Sequence, residues 1–284
     1  VTVPHQQRVL EGLAREDLFT VVFEQVMTDT ARYADVILPN TTFLEGYDIA
    51  KAYGPLTMRL AKPAIEPIGE SRSNADVFGD LITKLGVDDP SDPKGEIEEM
   101  LNIFARLPAS IGTELSESGA AAPPFEGRPV QFGNCWPLTP DAKADLFPRH
   151  LDSLAPAGLY GYQPDPGTPM YPLALISPAS NRTISSTLAE LPRPEVRLLM
   201  HPDDAAARGL TDGDLVRIYN ELGEVRCRVT IGDTIRPGTV SLPKGLWRKH
   251  TANGYTGTSL VPDTLTDLGG GACFNDARVQ VERL

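Results

Sequence analysis

The sequence predicts an α/β segment followed by a mainly-β domain that closes as a barrel or sandwich. Short alternating segments recur in the last third of the chain, separated by turn signals at intervals of roughly ten residues. Near the N-terminus a continuous apolar run (FTVVFE, 19–24) is followed by a helical turn and a second apolar run (DVILP, 35–39), the pattern of a parallel strand–helix–strand unit. Twenty-six prolines and twenty-five glycines in 284 residues imply many turns and long ordered connections.

In the N-terminal unit, Thr28 or Asp29 is the expected N-cap of a single turn over 31–34, and Pro39 stops the second strand. Ligands of parallel sheets sit outside the carboxyl ends of strands, which puts Glu24, Gln25 and Asp29 on one side with Asn40, Thr41 and Thr42 near it. Ser73 or Asn74 caps a helix whose Val77, Phe78, Leu81, Ile82 and Leu85 form a core-facing stripe ended by Gly86. A more acidic helix follows over 95–107. The Ala/Pro/Gly/Ser-rich stretch 108–129 reads as a surface loop, and 158–172 as a Pro/Gly linker at a domain boundary.

The C-terminal stretch starts with a short apolar strand at 173–176. Pro202 bars helix just before it and opens a short acidic helix over 203–207, which Gly209 ends. Strands are expected at 215–219, 225–231 and 239–242. In the second of these Val225, Cys227, Val229 and Ile231 share one face and Arg226, Arg228 and Thr230 the other.

The length suffices for two domains. No apolar run approaches the roughly 20 residues of a membrane span. A net charge of −12 argues against nucleic acid as a partner. Cys135, Cys227 and Cys273 lie far apart without a CxxC pair, so they read as reduced thiols rather than ligands of zinc or an iron–sulfur cluster. No histidine pair has metal-ligand spacing, His201 reads as structural, and no nucleophile elbow is present. The RKH run 248–250 beside Trp247 reads as a solvated surface. The first residues show neither a signal-peptide pattern nor an initiator methionine, which reads as a fragment of a longer chain.

Two polar clusters are the candidate sites. The first follows the strand 173–176: Ser177, Pro178, Ala179, Ser180, Asn181, Arg182, Thr183, then Ser185, Ser186 and Thr187. Short neutral donors with small neighbours suit a large phosphate-bearing ligand that the backbone must approach closely. The second spans 253–275, with Thr258, Asp263, Asp267, Gly269, Gly270, Gly271 and Asn275. Three consecutive glycines leave the backbone bare enough to lie against a flat ring or a phosphate, and equally suit a flexible loop.

The run HPDDAAARGLTDGDLVRIYNELGEVRCRVTIGDTIRPGTV, with PLALISPASNRTISSTLAEL before it and LVPDTLTDLGGGACFNDARVQVE after it, resembles the C-terminal cofactor-binding domain of the molybdopterin oxidoreductases, the dimethyl sulfoxide reductase family. VVFEQVMTDTARYADVILPNTTFLEGYDI is similar to that family's third domain. The resemblance implies an α/β, Rossmann-like portion over 1–165 and a six-stranded double-psi β-barrel over 166–284, as in the C-terminal domains of formate dehydrogenase and dimethyl sulfoxide reductase. It implies bis-molybdopterin guanine dinucleotide (Mo or W) as cofactor, shared with upstream domains absent from this chain.

Carried over residue by residue, the implied cofactor-binding set is Ser177, Pro178, Ala179, Asn181, Ser185, Ser186, Thr187, Thr258, Asp263, Gly270, Gly271 and Asn275. Glu24 and Asp29 join it on the guanosine side. Ala179 and Ser185 stand where the family often has His, and Thr258 where it commonly has Asn. Nothing matches the family's iron–sulfur motif or its Ser, Cys or selenocysteine molybdenum ligand, so no catalytic or metal-ligating residue is assigned.

The implied activity is oxygen-atom transfer or two-electron redox on a small molecule, nearest the sulfoxide and N-oxide reductases. This chain would supply binding and orientation beside the enzyme's N-terminal domains and would be inactive alone. The alternative is a cofactor-free structural or assembly subunit that keeps the fold. The expected location is cytoplasmic; an export signal upstream would make it periplasmic.

Overall fold

The computed structural model describes residues 2–51, 57–122, 130–179 and 185–284. In chain order the elements are α1 (Gln6–Leu13), β1 (Val21–Glu24), β2 (Val36–Pro39), β3 (Asp48–Lys51), β4 (Met58–Ala61), α2 (Asn74–Leu85), α3 (Glu96–Arg106), α4 (Ala109–Ser118), β5 (Ala120–Ala121) and α5 (Arg149–Leu154). They continue with β6 (Leu173–Ile176), β7 (Arg197–Met200), α6 (Pro202–Ala206), β8 (Leu215–Asn220), β9 (Gly223–Ile231), β10 (Thr239–Ser241) and β11 (Arg278–Arg283). Contacts divide the chain into two compact units. One holds Val1–Thr20, Met27–Asp35 and Phe147–Leu284, the other Val21–Val26 and Val36–Leu146.

The first unit is built on a closed six-stranded barrel, in the order β10-β6-β11-β8-β9-β7. Two neighbouring pairs are parallel, β6 with β10 and β7 with β9; the other four are antiparallel. Closure removes every sheet edge, so each strand needs only one apolar face, turned inward. Leu173 and Leu175, Leu198 and Met200, Val216 and Ile218, Val225 and Val229, and Val279 and Val281 alternate into one core, each no more than 2% exposed. Cys227 shares the inward face of β9 as expected, and burial pushes its thiol up to about 12, so it stays a protonated apolar filler. Ile231 packs against the rim of this core.

Local chemistry sets the turns. His201 Nδ1 accepts from Asp203 N–H at 3.2 Å and so caps α6, the structural role expected of it. Gly209, at φ +63°, takes the left-handed position after that helix. Asp214 closes the β8 approach by accepting from Thr211 N–H at 2.8 Å. On the outer face Arg217 lies 4.1 Å from the Tyr219 ring centroid and is shared between Glu224 and Glu282.

The second unit contains a two-stranded parallel sheet, β1 with β2, and the antiparallel sheet β3-β4-β5. Ser73 Oγ accepts from Asp76 N–H at 3.1 Å and caps α2, and Gly86 at φ +67° ends it. Three expectations are corrected here. β1 was read as a buried strand, yet Val21 is exposed and the rest of β1 only half-buried, because among the described residues the sheet ends at two strands. Of the α2 stripe only Val77 is buried, while Phe78, Leu81 and Leu85 stay exposed: periodicity sets which residues share a face, and what packs against that face sets how much of it is buried. The stretch read as a loop from 108 contains α4, whose Ile111 and Leu115, four apart, are buried against Met58, Leu60, Phe104 and Leu107. Its small, polar neighbours hid that pair. Residues 123–129 of the same stretch lie outside the described residues.

Leu198→Ala, in the middle of β7 and fully buried opposite Val229, is expected to cost roughly 2–5 kcal/mol. Urea unfolding followed by Trp fluorescence measures it. A loss below 1 kcal/mol would mean that the barrel interior is not the close-packed core described.

Candidate functional site

β6 and β10 run parallel in the register Thr239 to Ala174, Val240 to Leu175 and Ser241 to Ile176, so their carboxyl ends leave the barrel together. The pairing outlasts the strands: Leu242 N–H donates to Ile176 O and Lys244 N–H to Pro178 O, both at 3.0 Å. Ser177 and Lys244 therefore arrive at one mouth, on two loops with different origins.

At that mouth lies a cavity of about 260 Å³. Ser177, Ser185, the run Pro243–Leu246, Thr256, Gly257, Thr258, Val261, Phe274 and Asn275 line it, with Thr2 at the edge. Two glycines stand in its wall. A Cβ at Gly257 would make an ordinary contact, 3.4 Å, with Ser177 Oγ, so this wall lies directly against the hydroxyl. Gly245, at φ +75°, lies so close to Ser185 that a Cβ would meet the Ser185 carbonyl oxygen at 1.5 Å; only glycine can stand there. Ser185 itself is left-handed at φ 52°, the kind of backbone strain that surrounding structure must hold in place. The neighbouring Trp247 helps: its indole N–H donates to Ser186 O at 3.0 Å.

The wall 256–261 is braced from far away in sequence. Gln6, only 4% exposed, accepts through Oε1 from Thr256 N–H at 2.9 Å, Thr256 Oγ at 3.2 Å and Ser259 Oγ at 2.7 Å. Thr256 Oγ1 is in turn 3.0 Å from Thr258 Oγ1 in the cavity lining. Loss of such a buried acceptor strands several donors at once, at about 1–3 kcal/mol for each unsatisfied group. The Arg8–Asp263 pair nearby is solvent-exposed on both sides and contributes about 0–1 kcal/mol, so Gln6 is the brace.

The structure gathers Ser177, Ser185, Thr258 and Asn275 of the anticipated residues around this cavity, and Asn275 Oδ1 accepts from Ser177 N–H at 3.1 Å. Pro178 contributes its carbonyl to the pairing just described; Ala179 and Thr187 are exposed beside the loop; Asn181 lies outside the described residues. Gly270 and Gly271 belong to a separate turn, closed by Gly271 N–H donating to Thr266 Oγ1 at 2.9 Å. Glu24 lies in the other unit, where its Oε1 accepts from Gln25 N–H at 2.9 Å.

The turn at Ala31 has Thr30 rather than Thr28 or Asp29 at its N-cap position; Thr28 Oγ1 accepts from Ala31 N–H at 3.2 Å, and Asp29 has a different job. Asp29 Oδ2 accepts from Arg248 N–H at 2.7 Å, and the Arg248 guanidinium reaches the Tyr33 hydroxyl at 2.7 Å. The RKH run is thus not the solvated patch expected. Arg248 is engaged inward, Lys249 Nζ lies 5.3 Å over the Trp247 ring, and His250 Nδ1 accepts from Trp247 N–H at 2.9 Å. Sequence reasoning missed Lys244, Gln6 and Thr256. Lys244 sat unremarked in the LPKG turn, and a lone glutamine gives no spacing signal.

Burial, with the positive charges of Arg193 and Lys249, pulls His250 from its ordinary 6.5 down to about 4. Between those values the unfolded chain binds a proton that the folded one refuses. Its contribution is therefore complete above pH 6.5 and is lost as pH falls towards 4. Relative to the parent, His250→Gln, whose amide oxygen can still accept from Trp247 N–H, should lose less stability on acidification across this window. Thermal melts at pH 7, 5.5 and 4 would detect it; parallel pH profiles would remove His250 as the titrating group.

Comparison with known proteins places these observations. The family model described as "Molydopterin dinucleotide binding domain" matches residues 174–278, and that described as "Molybdopterin oxidoreductase" matches residues 1–84. "Probable oxidoreductase YoaE" of Bacillus subtilis (strain 168) is 30% identical over all of this chain and 43% of its own length. The dimethyl sulfoxide/trimethylamine N-oxide reductase of Rhodobacter capsulatus is 29% identical over 86% of the chain and 34% of its own length. Acetylene hydratase from Pelobacter acetylenicus shares the fold, with a TM-score of 0.75 over 99% of this chain and 42% of its own, at 19% identity. The chain thus spans well under half the length of these relatives. It belongs to the molybdopterin oxidoreductase (dimethyl sulfoxide reductase) family and carries the family's C-terminal portion, an α/β segment followed by a double-psi β-barrel that coincides with the stretch matched by the dinucleotide-binding model.

Proposed function

We propose that this chain is the cofactor-clamping portion of an oxidoreductase that carries bis-molybdopterin guanine dinucleotide and performs oxygen-atom transfer, or another two-electron redox step, on a small substrate. The supporting observation is the cavity at the joint carboxyl ends of β6 and β10, inside the stretch matched by the dinucleotide-binding family model. Its lining fits such a group: hydroxyls, an amide and one ammonium offer hydrogen bonds to an anionic, acceptor-rich ligand, and two glycines leave the backbone open. At about 260 Å³ it falls below the roughly 300–1,000 Å³ of ordinary ligand pockets, so it takes one part of a large cofactor rather than the whole.

When bound, the cofactor would supply two-electron redox chemistry at its metal. The residues of this chain hold and orient it. Ser177, Ser185, Thr258 and Asn275 provide short neutral contacts, and Leu246, Val261 and Phe274 keep water from the apolar side. Metal ligation and substrate selection are assigned, as the family resemblance implies, to the remaining domains of the longer enzyme, since the relatives are more than twice as long as this chain. The names of the relatives support a sulfoxide or N-oxide as the substrate class.

Ser177→Trp fills the cavity from a half-buried position outside the barrel core. The enzyme purified from a host that makes the cofactor is expected to lose most of its acid-releasable guanine while its melting temperature shifts by only a few degrees. Parental guanine content in the variant would remove this cavity from the binding site.

A further inference from the structure

We infer that a second site, a groove on the outer wall of the barrel between the end of α6 and β11, binds a small oxyanion, phosphate in preference to a carboxylate. It lies at the opposite end of β11 from the cofactor cavity: Asn275, which lines that cavity, precedes the strand, and Arg283 is its last residue. The inference is independent of the cofactor reading.

The groove has a volume of about 440 Å³, within the roughly 300–1,000 Å³ of ordinary ligand pockets. Ala207, Arg208, Tyr219 and the run Gln280–Arg283 line it. Strand alternation places the polar side chains there. Val279 and Val281 fill the barrel core and leave Gln280 and Glu282 on the outer face of β11; Val216 and Ile218 do the same for Arg217 and Tyr219 on β8. The register then sets Gln280 opposite Tyr219 and Glu282 opposite Arg217.

The ligand class follows from which hydrogen-bonding groups are already spent. The acceptors are committed. Gln280 Oε1 accepts from Arg208 Nε and from Val281 N–H, both at 3.0 Å. Glu282 accepts from Arg217 at 3.1 Å and from the Tyr219 hydroxyl at 3.3 Å. Donors are left over. Arg208, whose side chain is only 16% exposed, uses Nε on Gln280 and Nη1 on Asp204 O at 2.9 Å. Arg283 uses Nη2 on Gly209 O and Asp214 Oδ2, both at 2.6 Å. Among the described residues, Arg208 Nη2, Arg283 Nε and Nη1, and the Gln280 amide nitrogen meet no protein acceptor. A main-chain carbonyl tethers each guanidinium, so little side-chain entropy is lost when a ligand arrives. The fixed charges balance, with Arg208, Arg217 and Arg283 beside Asp204, Glu282 and Asp214. Net attraction is therefore small and the affinity is roughly millimolar. Selectivity comes from unspent charged donors, which call for a ligand that only accepts. Two guanidinium groups on one groove favour phosphate, with oxygens for both, over a carboxylate that one guanidinium fork saturates.

The test is calorimetric titration of the full chain with inorganic phosphate, acetate and chloride at matched ionic strength, for the parent, Arg283→Gln and Glu282→Gln. Phosphate should bind saturably to the parent, roughly tenfold or more tighter than acetate, and chloride should give no saturable heat. Arg283→Gln should weaken phosphate roughly tenfold, the range of one charged hydrogen bond. Its side chain is 53% exposed, so the melting temperature without phosphate should move by no more than a few degrees. Glu282→Gln, which removes the one carboxylate in the lining and keeps an acceptor for Arg217, should tighten phosphate. Equal responses to phosphate and chloride would reduce the effect to screening and overturn the site. Phosphate binding that Arg283→Gln and Glu282→Gln both leave unchanged would put the anion elsewhere on the chain and overturn it equally. Neither result bears on the cofactor reading.

Discussion

The parallel register between β6 and β10 is the constraint on which the rest of the site depends. A parallel pair sends both carboxyl ends the same way, and the closed barrel leaves them no edge along which to slip. Had β10 paired one residue out, Val240 would leave the core, and Leu242 with Lys244 would lose the carbonyls of Ile176 and Pro178. The interior enforces the register because every inward position of both strands is filled by a large aliphatic side chain with almost no exposure. Thus the hydrophobic core, which touches no ligand, decides where a serine and a lysine 67 positions apart in sequence meet.

From that junction outward the site is held by polar contacts that reach distant parts of the chain. Gln6 ties the 256–259 wall to the N-terminal helix through buried bonds, and Asp29 ties the turn after Trp247 to the segment near Tyr33. Both belong to the stretch matched by the molybdopterin oxidoreductase family model, and both converge on the stretch matched by the dinucleotide-binding model. The N-terminal portion therefore does part of its work by stiffening loops of the barrel unit. Asp29, anticipated as a ligand contact, spends one carboxylate oxygen on this bracing.

Much of the barrel was legible because period-two alternation and turn chemistry agree along 197–241. A strand such as VRCRVTI, flanked by Gly and Asp turns, has one consistent solution, and β9 adopts it. Of the first polar cluster, Ser177 was expected just past the end of β6, and it stands there, half-buried and lining the cavity. What remained hidden depended on long-range geometry. Nothing local in LPKG announces that Lys244 will face Ser177, and the Gly269–Gly271 run, bare of side chains, looked like a ligand surface but closes its own turn through Thr266. The α2 stripe shows the limit of periodicity. It established the helix and its caps, yet the extent of burial is set by what packs against the face.

The central claim is that this fold clamps a metal-bearing bis-dinucleotide. The most direct measurement is elemental analysis for molybdenum and tungsten together with quantitation of released guanine, on the full-length enzyme from a host that makes the cofactor. The account predicts one of the two metals with about two guanines for each metal atom, the stoichiometry of a bis-dinucleotide. Metal-free and guanine-free protein from such a host would contradict it, and would leave a fold that has kept its barrel and lost its cofactor.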